Sequence, residues 1–550
     1  MLSRRDEVLC GVLAVILCGA FFLQGFFASR HKSPTNDEPV HIVSGAAYIS
    51  TRTIVANPQH PPLMKELAGL SLALFGIRLH DAANRPAGWE WIVAQPFLII
   101  NGVGHALIRA RLPLLLTSTL LGLTIYWWGR NLAGAWAGLA ALFLFAFDPT
   151  MLGHSYLVTT DMGVAAMSLL FLVTLHRYTR KPGIGRLCAA GVALGLGLCA
   201  KFSGIFLLPI AAVLLAANVF WPEPSPDKAL EGATRSRGTR ARLVTAMTAL
   251  LGMIAVALVI VQILYFSARG PQLYLHGLSR VNADHDPGTL HYLAGQLKPR
   301  FASYFVVAWL VKEPIATLAL ALAGTWIVLR QHSISRLSKL FLFLPPAVFV
   351  LACMVLADDL GLRYAIPAMP FAYLAGGIAL ATLWRGGALP RTLAIGACAW
   401  IGIAADGIYP DHLSYFNEAA CLPGHANRIG WDGGSRCGPD WLADSNVDWG
   451  QSLPALKIWL DRHDPQQTIR LSYFGSFPPS AYGIHARDAK DFLWQRPAHG
   501  LFAISGSNLA DLFAQGQIDW LRDEPAAVVG HAYYIYDLGP DPASPRGSGK

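Results

Sequence analysis

The chain has 550 residues, of which 54% are hydrophobic and 14% charged. Soluble domains carry about a quarter charged residues, so a soluble globular protein is excluded. Lys and Arg number 43 against 34 Asp and Glu, a formal charge of +9; most of that excess sits where membrane topology places it, so no nucleic-acid partner is expected.

Apolar runs of about 16 to 25 residues, the length a bilayer-spanning helix needs, recur along the sequence. The first, at 8–28, follows Arg4-Arg5 as a signal peptide would. No small-residue cleavage site clearly ends it, and it reads as a retained span. Further spans are predicted at 110–128, 132–147, 157–175, 187–200, 203–220, 244–266, 303–329, 340–357, 364–384 and 392–409, about eleven in all. An odd count puts the termini on opposite sides. Arg4 and Arg5, Arg130, Arg177 to Arg186, Lys228 to Arg242, Arg330 to Lys339 and Arg385 to Arg391 fall on the N-terminal side, whereas the short opposite loops hold Lys201 and Arg363. The positive-inside rule then makes the N-terminus cytoplasmic. The Pro- and charge-rich stretch Pro222 to Arg242 reads as a solvated loop on that face.

Three regions on the outer side are too long for simple turns: 29–109, 267–302 and the tail from 410. In the first, Val40 to Ile54 and Leu63 to Leu79 show helical alternation suited to helices lying along the interface. The tail has strand-like runs at Ile469 to Tyr473, Leu501 to Ser505 and Ala532 to Leu538, and a helical stretch at Leu453 to Leu460. The expected architecture is a polytopic α-helical membrane domain over 1–409 and an outer α/β domain over 410–550. Six cysteines lie in apolar runs; Cys421 and Cys437 lie in polar sequence and are the expected disulfide.

Chemistry-bearing residues gather in the outer loops. Asn36-Asp37-Glu38-Pro39-Val40-His41 sets two carboxylates and an imidazole just past the first span, where a carboxylate can act as base or metal ligand; Asn36 or Asp37 before Pro39 is also a sound helix cap. His60, in Asn57-Pro58-Gln59-His60-Pro61-Pro62, belongs to a turn before a Pro-started helix and could face the same cavity. Asp161 stands at the outer end of the fourth span, as an ionisable site residue or a helix cap. Lys201 joins two spans on the outer side, suited to a phosphate or to snorkelling. Lys312 and Arg363 are further cations near helix ends, with Glu313 an alternative partner for Lys312. Carboxylates and histidines from two loops and cations from three others fit transfer from an anionic lipid. No Walker or Rossmann motif is present, and an outer site would have no nucleotide supply.

In these residues the chain resembles the multispanning GT-C glycosyltransferases of the family 39 type, relatives of protein O-mannosyltransferases and of the lipid A aminoarabinose transferase. The marks are Asp37-Glu38, His60-Pro61-Pro62-Leu63, Thr160-Asp161, Lys201-Phe202, Tyr304 to Pro314 and Arg363-Tyr364-Ala365-Ile366-Pro367. The resemblance implies a GT-C-like fold and transfer of a sugar from a polyprenyl-phosphate donor to a protein, lipid or glycan acceptor at the outer face. It implies Asp37 as catalytic carboxylate, Glu38 as its neighbour, Asp161 as a second acid, and Lys201 and Arg363 as phosphate contacts, with His41, His60 and Lys312 in the substrate site. Metal dependence varies in the family; a divalent ion, Mg²⁺ or Mn²⁺, would take Asp37 and Asp161.

The tail is similar to that of a bacterial subgroup through Tyr415 to Glu418, Asp444 to Gln451 and Tyr473 to Ser476. This implies a bacterial inner membrane and a periplasmic tail whose disulfide forms in an oxidising compartment. The tail could bind acceptor; equally, Ser445 and Asp448 have capping-box spacing. The rival function is a transporter or flippase of lipid-linked sugars, which would place its charges at the membrane midplane and often show internal symmetry.

Overall fold

The computed structural model describes residues 4–222 except Asp81, Ala83, Asn84 and Ala87, then 238–489 except Pro423, 499–515, 519–522 and 524–539. Most of the Pro222–Arg242 linker, with Lys228, Arg235 and Arg237, lies outside the described residues.

The helices run in chain order as α1 (Arg4–Arg30), α2 (Glu38–Thr51), α3 (Leu63–Leu74), α4 (Trp89–Ile100), α5 (Val103–Ala133), α6 (Ala135–Ala146), α7 (Pro149–His154), α8 (Asp161–Arg180), α9 (Ile184–Ala200) and α10 (Leu207–Phe220). They continue as α11 (Thr239–Leu264), α12 (Gly270–Asp284), α13 (Tyr304–Lys312), α14 (Ile315–Arg330), α15 (Arg336–Leu356), α16 (Met369–Trp384) and α17 (Ala388–Gly407). Among the described residues eight helical segments are long and apolar enough to cross a membrane, and the chain is a multi-pass membrane protein. Each of the predicted spans corresponds to a helix, with two differences. Runs 132–147 and 187–200 form helices of 12 and 17 residues, and the run 303–329 is not one rod. It bends by 115° between α13 and α14, because Pro314 lacks an N–H and forces Glu313 into extended backbone (φ −93°, ψ 143°).

The stretches Val40 to Ile54 and Leu63 to Leu79 are largely helical, as the periodicity predicts. Helices α2 and α3 cross in backbone contact: a Cβ on Gly45 would lie 1.9 Å from the Lys65 carbonyl oxygen, and one on Gly69 2.1 Å from that of Gly45. Glycine is needed at both positions because no side chain can stand between the two backbones. Helix α2 is buried along most of its length, so it is not merely laid on an interface.

The tail packs against residues 33–36 and 360–362. Helix α18 (Leu453–His463) and α19 (Gly506–Ala514) accompany a five-stranded sheet of β3 (Arg470–Ser472), β4 (Arg487–Asp488), β5 (Leu501–Ser505), β6 (Ala527–Val529) and β7 (Tyr533–Asp537). Its order is β4-β3-β5-β7-β6, with β3 parallel to β4 and β5, and β7 antiparallel to β5 and β6. A small hairpin, β1 (His291–Leu293) and β2 (Gln296–Lys298), precedes α13. The three predicted strands and Leu453 to Leu460 fall on β3, β5, β7 and α18. Cys421 and Cys437 are disulfide-bonded, closing a loop beneath α13. The capping-box reading of Ser445 and Asp448 is not what forms. Ser445 Oγ donates to the Leu360 carbonyl at 2.8 Å, and the Asp448 carboxylate accepts the Gly450 N–H at 2.9 Å.

Candidate active site

Asp37 occupies the N-cap position of α2 but makes no capping hydrogen bond with its side chain. Its Oδ2 instead accepts from Arg363 Nη1 at 3.2 Å, with Asp37 28% and Arg363 11% exposed. Asp161, the first residue of α8, accepts from Lys201 Nζ at 2.5 Å. Its other oxygen, Oδ2, is buried without a partner among the described residues. One aromatic ring touches both pairs: Lys201 Nζ lies 4.3 Å from the Tyr364 ring centre, and the Arg363 guanidinium carbon 5.0 Å from the same ring. Residues from four distant stretches therefore converge, as the sequence predicts for Asp37, Asp161, Lys201 and Arg363.

His41 and His60 join them. Their rings meet edge to face at 4.9 Å, and both line a cavity of about 230 Å³ together with Asp37, Asn57, Gln59 and Trp91. His41 Nδ1 lies 2.8 Å from the Val158 carbonyl oxygen. A carbonyl only accepts, so Nδ1 carries the proton and Nε2 is left as an acceptor. Burial pulls the pKa of His41 below its ordinary value and that of His60 well below, with Lys65 adding to both. Both imidazoles are neutral at physiological pH.

Glu38 departs from its expected catalytic place. It is wholly buried and forms a two-pronged pair with Arg111, Nε to Oε1 at 2.9 Å and Nη2 to Oε2 at 2.6 Å. Oε1 also accepts the Val158 N–H at 3.0 Å, and Oε2 accepts the Thr35 N–H at 2.9 Å and hydroxyl at 3.2 Å. Burial alone would raise its pKa; Arg111 and these N–H groups outweigh it and hold the carboxyl below its ordinary range. Five donors leave no lone pair for a reacting atom, so Glu38 anchors the Asp37 loop to α5. Lys312 is also reassigned. It is buried, and its ammonium donates to the carbonyls of Leu413 at 2.7 Å and Asn446 at 2.5 Å. It fastens the tail to α13, and among the described residues Glu313, its suspected partner, makes no bond to it.

Three residues escape sequence reasoning. Arg111 opens an apolar run, and a lone cation there is the signal of its buried partner. Lys65 Nζ donates to the carbonyls of Asn57 and His60, both at 2.7 Å, and to Tyr48 Oη at 3.0 Å, fixing the turn that presents His60. Trp449, from the tail, lies 4.2 Å from the Arg363 guanidinium carbon, a contact that no local pattern announces. Among the described residues no group of three or more His, Cys, Asp or Glu side chains is placed to hold a metal ion.

The family model described as dolichyl-phosphate-mannose-protein mannosyltransferase matches residues 84–226, a stretch that includes Asp161 and Lys201 but not Asp37 or Arg363. No curated protein matches the sequence. Among solved structures, the oligosaccharyltransferase of Archaeoglobus fulgidus tethered to an acceptor peptide is 11% identical, with a TM-score of 0.50 over 94% of this chain and 72% of that one. ArnT from Cupriavidus metallidurans bound to undecaprenyl phosphate is 13% identical, covering 98% of this chain and 100% of that one, with a TM-score of 0.48. The Pmt1-Pmt2 protein O-mannosyltransferase of S. cerevisiae bound to its sugar donor is 16% identical over 54% of this chain and 39% of that one, with a TM-score of 0.33. The chain has the GT-C glycosyltransferase fold.

Proposed function

We propose that this protein is a membrane glycosyltransferase that moves a sugar from a polyprenyl-phosphate donor to an acceptor hydroxyl on the outer face of a bacterial inner membrane. In this reading the N-terminus is cytoplasmic and the tail periplasmic. The observation that carries it is the meeting of Asp37–Arg363 and Asp161–Lys201 at the ends of α2, α8, α9 and the segment before α16, beside the cavity lined by Asp37, His41 and His60. Charges at helix ends suit a lipid headgroup; a transport path would place them at mid-membrane.

The chemistry follows from the groups. Asp37, partly exposed, takes the proton from the acceptor hydroxyl. That oxygen bonds to the anomeric carbon as the bond to the phosphate oxygen breaks, and the prenyl phosphate leaves with the electron pair. Arg363 and Lys201 meet its charge, the guanidinium offering in-plane donors and the ammonium a point charge. Asp161 orients Lys201, and the neutral His41 and His60 line the cavity where a sugar would sit. A divalent ion, Mg²⁺ or Mn²⁺, would be held by Asp37 and Asp161, whose Oδ2 has no partner among the described residues, and would offset phosphate charge.

The test is transfer by full-length protein in nanodiscs, supplied with undecaprenyl-phosphate sugars and an envelope extract, and read as undecaprenyl phosphate released and sugar incorporated. Asp37→Asn and Asp161→Asn are each expected to slow transfer at least about hundredfold. Full transfer by both variants would remove the site assignment.

A further inference from the structure

We propose that the tail segment Ser445–Trp449 is a positioning strap that sets Arg363 for phosphate, with Trp449 its central residue. The proposal rests on the reading of Arg363 as a phosphate contact and goes beyond it by giving the tail a part in donor binding.

Trp449 is 1% exposed and touches Arg363 and the residue that precedes Asp37. Its ring lies 4.2 Å from the guanidinium carbon of Arg363. Its carbonyl accepts the N–H of Asn36, the residue before Asp37, at 3.0 Å. The strap also grips the backbone leading to Arg363: Ser445 Oγ donates to the Leu360 carbonyl at 2.8 Å, and Asn446 Oδ1 accepts the Leu362 N–H at 2.9 Å. Gly361 lies between those two tethers, and a Cβ there would be 2.2 Å from Ser445 Oγ. Ser476 Oγ, farther along the tail, donates to the Asn36 carbonyl at 2.7 Å. The first outer loop and the chain before α16 are thus held in register by one stretch of the tail.

The consequence for ligand binding is physical. A guanidinium stacked on aromatic rings uses its face for that contact and keeps its in-plane N–H groups for hydrogen bonds. Arg363 has the Trp449 and Tyr364 rings against it, gives Nη1 to Asp37, and holds Nε buried without a partner among the described residues. The side chain is already ordered, so an arriving phosphate need not bear the entropy of ordering it.

The experiment measures binding of undecaprenyl phosphate to full-length protein in nanodiscs as a double-mutant cycle of Trp449→Leu and Arg363→Ala. Trp449→Leu is expected to bind about tenfold more weakly and Trp449→Phe within about threefold of the parent. On the Arg363→Ala background Trp449→Leu is expected to add nothing, a readout that a general packing role would not give. Arg363→Ala binding as tightly as the parent would refute the phosphate reading itself. Weak binding by Arg363→Ala with parental binding by Trp449→Leu, or equal losses on both backgrounds, would overturn the strap alone. Should Trp449→Leu fail to fold, Ser445→Ala decides: about threefold weaker binding supports the strap, and unchanged binding overturns it.

Discussion

Replacing Glu38 by Ala separates anchoring from chemistry. The substitution removes an acceptor from each of five donors and leaves Arg111, 1% exposed, with the carbonyls of Ser29 at 3.0 Å, Lys32 at 3.2 Å and Ser33 at 2.9 Å as its remaining partners. Carbonyl dipoles offset a cation less than a carboxylate does. Removing one member of a buried ion pair costs about 3–5 kcal/mol, and the orphaned Thr35 and Val158 N–H groups, at roughly 1–3 kcal/mol each, place Glu38→Ala toward the upper end of that range. Adding Arg111→Met removes the stranded charge, so the double variant is expected to recover about half of the loss or more. Reversible unfolding of the full-length protein in mixed micelles, followed by tryptophan fluorescence, reads both numbers, and transfer is measured on the folded fraction. If Glu38→Ala were destabilised by less than about 1 kcal/mol while transfer fell hundredfold, Glu38 would belong to the chemistry and the anchoring argument would be wrong.

Lys65→Met should strand the Asn57 and His60 carbonyls, costing about 2–6 kcal/mol; faster amide exchange confined first to residues 57–60 is the expected sign. Gly69→Val should separate α2 from α3 and abolish the folded protein, whereas Gly104→Val, which meets no atom within 4 Å, should not; size-exclusion profiles in detergent distinguish them. The tail carries a pH-dependent tie. His531 donates from Nδ1 to Asp411 at 2.7 Å and from Nε2 to Asp432 at 3.1 Å, and Lys32 also pairs with Asp411. Burial would lower the pKa of His531, but the two carboxylates override it and raise it to about 9; those of Asp411 and Asp432 are lowered despite burial by these same partners. The histidine contribution is full below about 6.5 and is lost as pH rises through about 9, while the carboxylate contribution is lost as pH falls below about 4. Protease resistance of the tail should therefore peak between about pH 4 and 6.5 and decline toward pH 10, with His531→Gln flattening the alkaline side.

The sequence by itself determined the membrane character, the helical runs, the strands β3, β5 and β7, and four residues that do meet, Asp37, Asp161, Lys201 and Arg363. Those features are written locally: apolar run length reports bilayer thickness, strand alternation reports a half-buried sheet, and an ionisable residue at a helix end stands out against apolar neighbours. What each charge does was decided by the tertiary structure, because its role depends on partners remote in sequence. Adjacent carboxylates Asp37 and Glu38 look alike in the chain, yet one faces a cavity and the other is closed around Arg111. Lys201 and Lys312 look alike too, but the first meets Asp161 and the second is consumed by tail carbonyls. The same holds for Trp449, whose indole reaches Arg363 only after the 85 intervening positions have folded back. Local pattern fixes which segments enter the membrane, and long-range packing alone fixes which polar atoms remain free for a substrate.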